Sequence, residues 1–236
     1  MLIEKNKPMK NKSYIGISFI ILIFGIIFIP RIINRIKNDD VTKIDRLNAP
    51  GQKETSEDLL QKIGPVPKFR LTNQLGKTIT NDDYLGKVYL VEFFFSTCPT
   101  ICPKMNQNML KLEKHFKDAT DFGIVSITIN PSYDTSEVLK SHAEHLGVTS
   151  PHWNFLTGNQ DYIYEIANKG FNLYAAQNGD AEGGFEHSGL FALIDKKGTI
   201  RSRKDDFGNP IVYYDGLEDA GIEALKQDIQ VLLNEK

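Results

Sequence analysis

The sequence has few cysteines and almost no net charge, and each shortage excludes a class of protein. Two Cys among 236 residues are too few for a secreted scaffold with several disulfides, and a structural zinc site needs four ligands. The 28 basic and 30 acidic residues give a formal charge of -2, which argues against broad nucleic-acid binding. We find no internal repeat or low-complexity tract, and 41% hydrophobic and 25% charged residues are typical of one globular domain.

The near-neutral total conceals an uneven distribution of charge. Residues 1–40 contain seven Lys or Arg and three acidic residues, so the rest of the chain has a charge of -6. A basic N-terminal segment before an apolar run is typical of a protein directed to a membrane.

Residues 13–30 form an uncharged and mostly Ile, Phe and Leu run of 18 residues. As a helix this run would reach about 27 Å, close to the ~30 Å of a bilayer core, which predicts a single transmembrane anchor. A cleaved signal peptide is the alternative, but no small-x-small cleavage site follows. Basic residues flank both ends, and we expect the N-terminus in the cytoplasm and the domain outside, on the periplasmic side of a bacterial inner membrane.

These features predict three segments. Residues 1–37 are expected to form a cytoplasmic tail and the anchor, and residues 38–63 a polar linker. Residues 64–236 remain for one folded domain, which is long enough for a single core.

Alternating strand and helix patterns predict an α/β domain. Residues 88–95 and 122–129 are nearly continuous apolar runs, typical of strands buried on both faces of a parallel sheet. The other predicted elements are a hairpin over 69–80, helices ending near 117 and covering 135–146 and 161–169, a hairpin over 189–203 and a last helix from about 222. This order predicts a mixed central sheet flanked by helices.

The two cysteines follow the first buried strand. Cys98 and Cys102 lie where open α/β sheets place their sites, and Pro103 suits the first position of a helix. A helix N-terminus favours thiolate over thiol, so this pair suits either a redox disulfide or a soft metal ion such as Cu(I), with zinc as competitor. An inert structural disulfide is less favoured, because so short a loop gains little chain entropy from closure.

A metal held by two thiolates needs a further ligand, and histidine is the expected one. His115, His142, His145 and His152 lie on helices or beside a buried tryptophan, where a packing or surface role is the simpler interpretation. His187 differs because it follows a glycine-rich segment and precedes the apolar run 190–194, although the sequence alone does not place it beside the cysteines.

The motif Phe93-Phe-Phe-Ser-Thr-Cys98-Pro-Thr-Ile-Cys102-Pro103 resembles the C-x-x-x-C-P signature of the Sco (SenC) proteins, which are thioredoxin-like copper chaperones of cytochrome c oxidase assembly. The similarity includes the segment 126–135, the single histidine that precedes the late apolar strand, His187, and the N-terminal apolar run. This resemblance implies a thioredoxin-like fold in which Cys98, Cys102 and His187 bind one copper ion, as Cu(I) or Cu(II). It implies as partners the copper-bearing subunit of the oxidase, or another cuproprotein, and an envelope thiol reductant.

Two positions depart from the family pattern. Asn130 and Glu186 stand where the family usually has Asp. Glu186 keeps a carboxylate beside His187, and we expect it either to orient the imidazole ring or to tune its basicity.

The alternative function on the same fold is an envelope thiol-disulfide oxidoreductase that reduces the cysteines of a target protein. Redox proteins of this fold commonly carry C-x-x-C and a proline facing it, whereas here the spacing is one residue longer and the segment 187–190 contains no proline. A histidine where redox proteins of this fold have a proline favours a metal site over a groove that binds a substrate disulfide.

Overall fold

The computed structural model describes residues 13–37 and 59–235, with side chains of the first segment described for 17–30. The predicted cytoplasmic tail before residue 13 and residues 38–58 of the predicted linker lie outside these ranges. The chain divides into two units, residues 1–52 and residues 53–236.

The first unit contains one described element, helix α1 (Ser13–Lys37), with Pro30 inside it. Its described large apolar side chains, from Ile17 to Ile29, are exposed. No helix in the described part of the chain is long and apolar enough to cross a membrane, so the structure does not support the predicted transmembrane span. The uncharged run of 18 residues reaches only about 27 Å before the basic residues that follow Pro30.

The second unit is built on a large mixed sheet. Its strands are β1 (Gln61–Pro65), β2 (Arg70–Asn73), β3 (Thr78–Thr80), β4 (Val88–Phe94), β5 (Phe122–Thr128), β6 (Trp153–Thr157), β9 (Leu190–Ile194), β10 (Thr199–Ser202) and β11 (Tyr214–Asp215). Their order is β1-β10-β9-β4-β5-β6-β2-β3, with β11 beside β9. A separate hairpin pairs β7 (Ala175–Gln177) with β8 (Phe185–His187).

Strands β4, β5 and β6 form the parallel centre of the sheet. Every residue of β4 and β5 is buried, as expected for strands covered on both faces. The covering helices are α2 (Cys102–His115), α3 (Ser136–Leu146), α4 (Gln160–Glu165) and α5 (Asp219–Asn234). This architecture confirms the predicted mixed α/β domain.

Several elements differ from the sequence prediction. Strand β1 begins at Gln61, so the last residues of the predicted linker belong to the sheet. The helix predicted over 161–169 becomes a short α4 followed by a π-helical turn, Ile166–Phe171, which ends at Asn172 with a φ of 53°. Strand β6 and the β7–β8 hairpin were not predicted.

Candidate metal centre

Cys98 and Cys102 lie at the C-terminal end of β4. The Cys98 amide donates to the Phe95 carbonyl at 3.2 Å, and Cys102 is the first residue of α2, with Pro103 next. Both are buried free thiols. The predicted placement at a helix N-terminus is therefore confirmed, with Cys98 in the loop and Cys102 in the first turn.

A buried carboxylate holds the start of this loop. Asp134 is fully buried and accepts hydrogen bonds from the Ser96 amide, at 3.1 Å, and from the hydroxyls of Ser96 and Thr128. It thereby joins the end of β4 to the end of β5. Thr135 caps α3, since its hydroxyl accepts from the Val138 amide at 3.4 Å.

His187 comes from the β7–β8 hairpin, where it pairs with Ala175. The loop of this hairpin lies against the cysteine loop at Gly183, which has a φ of 82°. A Cβ atom at Gly183 would lie 2.9 Å from the Phe95 ring and 3.1 Å from Pro99. Only glycine therefore allows the hairpin to approach this closely.

The structure brings the three predicted side chains together. One ligand atom from each of Cys98, Cys102 and His187 lies within 4.8 Å of the others. The Cys102 Sγ is 3.1 Å from the His187 Nε2, and the His187 Nδ1 is 3.1 Å from the Ser188 carbonyl oxygen. Because a carbonyl only accepts, Nδ1 carries the proton, and the Nε2 lone pair faces the sulfurs.

The two thiols have opposite proton affinities. The hydrogen bond from Cys102 holds the pKa of the Cys98 thiol well below its usual range, although burial opposes the shift. The same hydrogen bond and burial raise the pKa of the Cys102 thiol. The pair therefore shares one proton, with Cys98 as thiolate and Cys102 as thiol.

Glu186 does not orient the imidazole as the sequence analysis expects. Its carboxylate accepts from the Tyr174 hydroxyl at 3.3 Å and from the Asn178 Nδ2 at 2.9 Å, and the partner of the His187 Nδ1 is the Ser188 carbonyl. Successive residues of a strand point to opposite faces, which places these two side chains apart. Glu186 instead links the two sides of the hairpin that carries His187.

Glu92 is a buried acid near the site that the sequence analysis missed. Its Oε1 accepts from the Ser126 hydroxyl at 2.6 Å, and its Oε2 has no hydrogen-bond partner among the described residues. Burial raises the pKa of Glu92 to about 7, although the hydrogen bond from Ser126 offsets part of the shift. The sequence does contain a signal for this residue, because Glu92 is the one ionisable carboxyl group within the otherwise apolar strand β4.

None of the four other histidines joins the site within the described structure. His142 stacks on Phe94, and burial lowers its pKa. His145 contacts the Ser141 carbonyl on the exposed side of α3, and His115 packs edge-on against Phe116. These positions agree with the packing and surface roles predicted for them.

Two sulfurs and one imidazole form a soft donor set. Such donors favour Cu(I) and zinc over magnesium or calcium, which prefer oxygen. The same two sulfurs are also close enough to form a disulfide with each other. In thiol-disulfide exchange with another protein, the Cys98 thiolate would be the attacking nucleophile.

Comparison with known proteins relates this chain to one family. The SCO1/SenC family model matches residues 58–220. The SCO1 protein homolog of Bacillus subtilis (strain 168) is 30% identical over 186 residues, which cover 78% of this chain and 89% of that protein.

Two solved structures extend the comparison. A SCO1/SenC family lipoprotein from Bacillus anthracis str. Ames is 30% identical, with a TM-score of 0.62, and the match covers 72% of this chain and 95% of that chain. BsSco, a member of the Sco family of cytochrome c oxidase assembly proteins with a disulfide switch, is 28% identical, with a TM-score of 0.62 over 75% of this chain and 98% of its own.

Proposed function

This chain belongs to the SCO1/SenC family and has the family's thioredoxin-like fold, and we propose that it is a copper metallochaperone. Cys98, Cys102 and the His187 Nε2 bind one copper ion, as Cu(I) or Cu(II), and the protein delivers it to the copper centre of cytochrome c oxidase. The observation that carries this proposal is the approach of all three ligand atoms to within 4.8 Å of one another.

The protonation of the site supports copper loading. Cys98 is already a thiolate, and the His187 Nε2 offers a lone pair, so Cu(I) displaces only the Cys102 proton. The Ser188 carbonyl fixes the ring by accepting from Nδ1, which is the usual arrangement for a ligating histidine.

Delivery requires the dithiol. A reduced envelope thiol protein attacks the Cys98–Cys102 disulfide, forms a mixed disulfide and then releases it with its own second thiol, so that the donor leaves oxidised and both cysteines are reduced. Copper then binds and passes to the acceptor by stepwise ligand exchange. His187, on a hairpin outside the main sheet, is the first ligand to leave.

The second candidate function is thiol-disulfide exchange with a target protein. The thiolate of Cys98 beside the protonated Cys102 favours it, because such a pair can attack a disulfide and then resolve the intermediate. BsSco has a disulfide switch. We propose that formation and reduction of the Cys98–Cys102 disulfide control copper binding in this chain in the same way.

We place the protein at the membrane of a bacterial envelope, with the domain outside the cytoplasm. The exposed apolar side chains of α1 need an apolar environment, and the Bacillus anthracis relative is a lipoprotein. Protease protection in intact cells tests the side on which the domain lies.

Copper titration of the reduced protein tests the function. We expect one copper ion per chain, with Cu(II) affinity lowered more than about 100-fold in His187→Ala and binding lost in Cys98→Ser and Cys102→Ser. His145→Ala, an exposed histidine on α3, is the matched control and should bind as the wild type does. Unchanged binding in His187→Ala would refute the three-ligand site, and rapid reduction of glutathione disulfide without copper affinity would favour the second function.

A further inference from the structure

A second cleft lies at the opposite end of β4 from the cysteines. It has a volume of about 390 Å³ and lies between the turn Asn81–Tyr84, helix α4 and the β9–β10 turn. Phe69, Tyr84 and Tyr89 give it an aromatic lining. Tyr89 lies five residues before the end of β4, a strand distance of about 17 Å, so the cleft is separate from the metal centre.

Three basic side chains line this cleft. All three, Lys68, Arg70 and Lys197, are exposed, and none of them forms an ion pair with a described residue. Asp82 is the only acidic side chain among the described lining residues. A concave surface with an excess of unpaired positive charge attracts anions.

The lining also contains a buried hydroxyl without a partner. Tyr89 is 1% exposed, and its hydroxyl makes no hydrogen bond to any described residue. The neighbouring Tyr84 hydroxyl, by contrast, donates to the Ile124 carbonyl at 3.1 Å and accepts from the Asn154 Nδ2 at 2.6 Å. An unpaired buried hydroxyl is costly and needs an explanation.

We propose that this cleft binds a small organic anion, a carboxylate or phosphate ester with an apolar end. Arg70 and Lys197 bind the anionic group, the aromatic lining contacts the apolar end, and the Tyr89 hydroxyl donates a hydrogen bond to the ligand. A concave surface that combines aromatic side chains with polar groups is typical of a small-molecule site.

Phenyl phosphate is the probe, and phenol is its neutral analogue. Titration of the full-length protein by calorimetry should give saturable binding of phenyl phosphate and at least about tenfold weaker binding of phenol. Arg70→Gln and Lys197→Gln should each raise the Kd for phenyl phosphate about tenfold. Lys104→Gln and Lys114→Gln, exposed positions on α2, are the matched controls and should leave it unchanged.

Tyr89→Phe separates a binding role from a packing role. Removing an unpaired hydroxyl should stabilise the unliganded protein, whereas losing a ligand hydrogen bond should raise the Kd about fivefold. Opposite effects on unfolding and on binding therefore support the proposal. Increased stability with unchanged binding would remove Tyr89 from the site.

Competition against phenyl phosphate identifies the source of the anion. Tighter binding of a soluble short-chain phosphatidylglycerol than of glycerol 3-phosphate would assign the cleft to a lipid headgroup, and the reverse order would assign it to a soluble ester. Equal binding of phenol and phenyl phosphate, or binding unaffected by Arg70→Gln and Lys197→Gln, would overturn the proposal.

Discussion

At the scale of single residues, the chemistry depends on one proton shared by Cys98 and Cys102. The hydrogen bond between them stabilises the thiolate of Cys98 and the neutral thiol of Cys102, so their pKa values move apart. The sequence could predict the ligand types and the helix N-terminus. It could not predict which sulfur ionises, because that depends on the hydrogen bond that the two thiols form in the folded protein.

Alkylation by iodoacetamide tests this division of roles. Between about pH 5 and about pH 8, Cys98 in the reduced protein should react at a nearly constant rate, because it is ionised throughout, and Cys102 should stay unmodified. Cys102→Ala removes the main stabilising hydrogen bond, so the pKa of Cys98 should rise and its rate should increase with pH. A wild-type rate that rises about tenfold per pH unit would contradict the assignment.

Glu92 gives a second residue-scale prediction, for stability. Its pKa is raised from 4.5 to about 7 in the folded state, so the native protein binds the extra proton between these values and loses stability as pH rises through them. The loss should total about 3 kcal/mol and be complete slightly above pH 7.

The measurement is the free energy of urea unfolding of the reduced wild type and of Glu92→Gln across this range. The advantage of the wild type over the variant should decrease with rising pH and then level off. Parallel curves for the two proteins would show that Glu92 titrates normally.

At the scale of elements, the hairpin that carries His187 belongs to the site and was not predicted from sequence patterns. Strands β7 and β8 have three residues each and pair outside the main sheet, so they lack the long apolar alternation that identifies a strand. Strands β4 and β5 were predicted because burial on both faces makes their sequences continuously apolar.

The contact at Gly183 predicts that the hairpin loop positions His187. Gly183→Ala places a methyl group against Phe95 and Pro99, which should push the hairpin outward and weaken Cu(II) binding at least about tenfold. Gly184→Ala is the matched control, because Gly184 has the same φ of 82° and no atom within 4 Å of the added Cβ.

Both substitutions carry the backbone strain of a left-handed alanine, about 1 kcal/mol, and should lower stability similarly. Calorimetry and the visible spectrum of the Cu(II) complex compare the two variants. Equal Cu(II) affinities in the two variants would mean that the steric contact has no role in positioning the ligand.

At the scale of the whole molecule, the fold joins residues that are distant in sequence. Cys102 and His187 are 85 residues apart, and the antiparallel pairing of β9 with β4 brings the segment after the hairpin alongside the strand that leads to the cysteines. The family resemblance, rather than any local sequence pattern, predicted that His187 lies beside the cysteines. The second cleft was not predicted, because its basic residues come from two distant segments, Lys68 and Arg70 at the start of β2 and Lys197 in the β9–β10 turn.

A buried ion-pair network is centred on Arg201 in strand β10. Arg201 on β10 is 1% exposed, bonds to Asp195 at 3.0 Å and to Glu235 at 2.8 Å, and donates to the Leu60 carbonyl. It links strand β10 to the residues next to β1 and after α5. Substituting only one charged member of this network should destabilise the fold, because the remaining buried charge would lack its partner.

X-ray absorption spectroscopy of the reduced protein loaded with one equivalent of Cu(I) tests the central claim most directly. We expect a first coordination shell of two sulfur atoms and one imidazole nitrogen, and loss of the nitrogen contribution in His187→Ala with both sulfurs retained. A shell that contains sulfur alone in the wild type, or that is identical in the two proteins, would contradict a site formed by Cys98, Cys102 and His187.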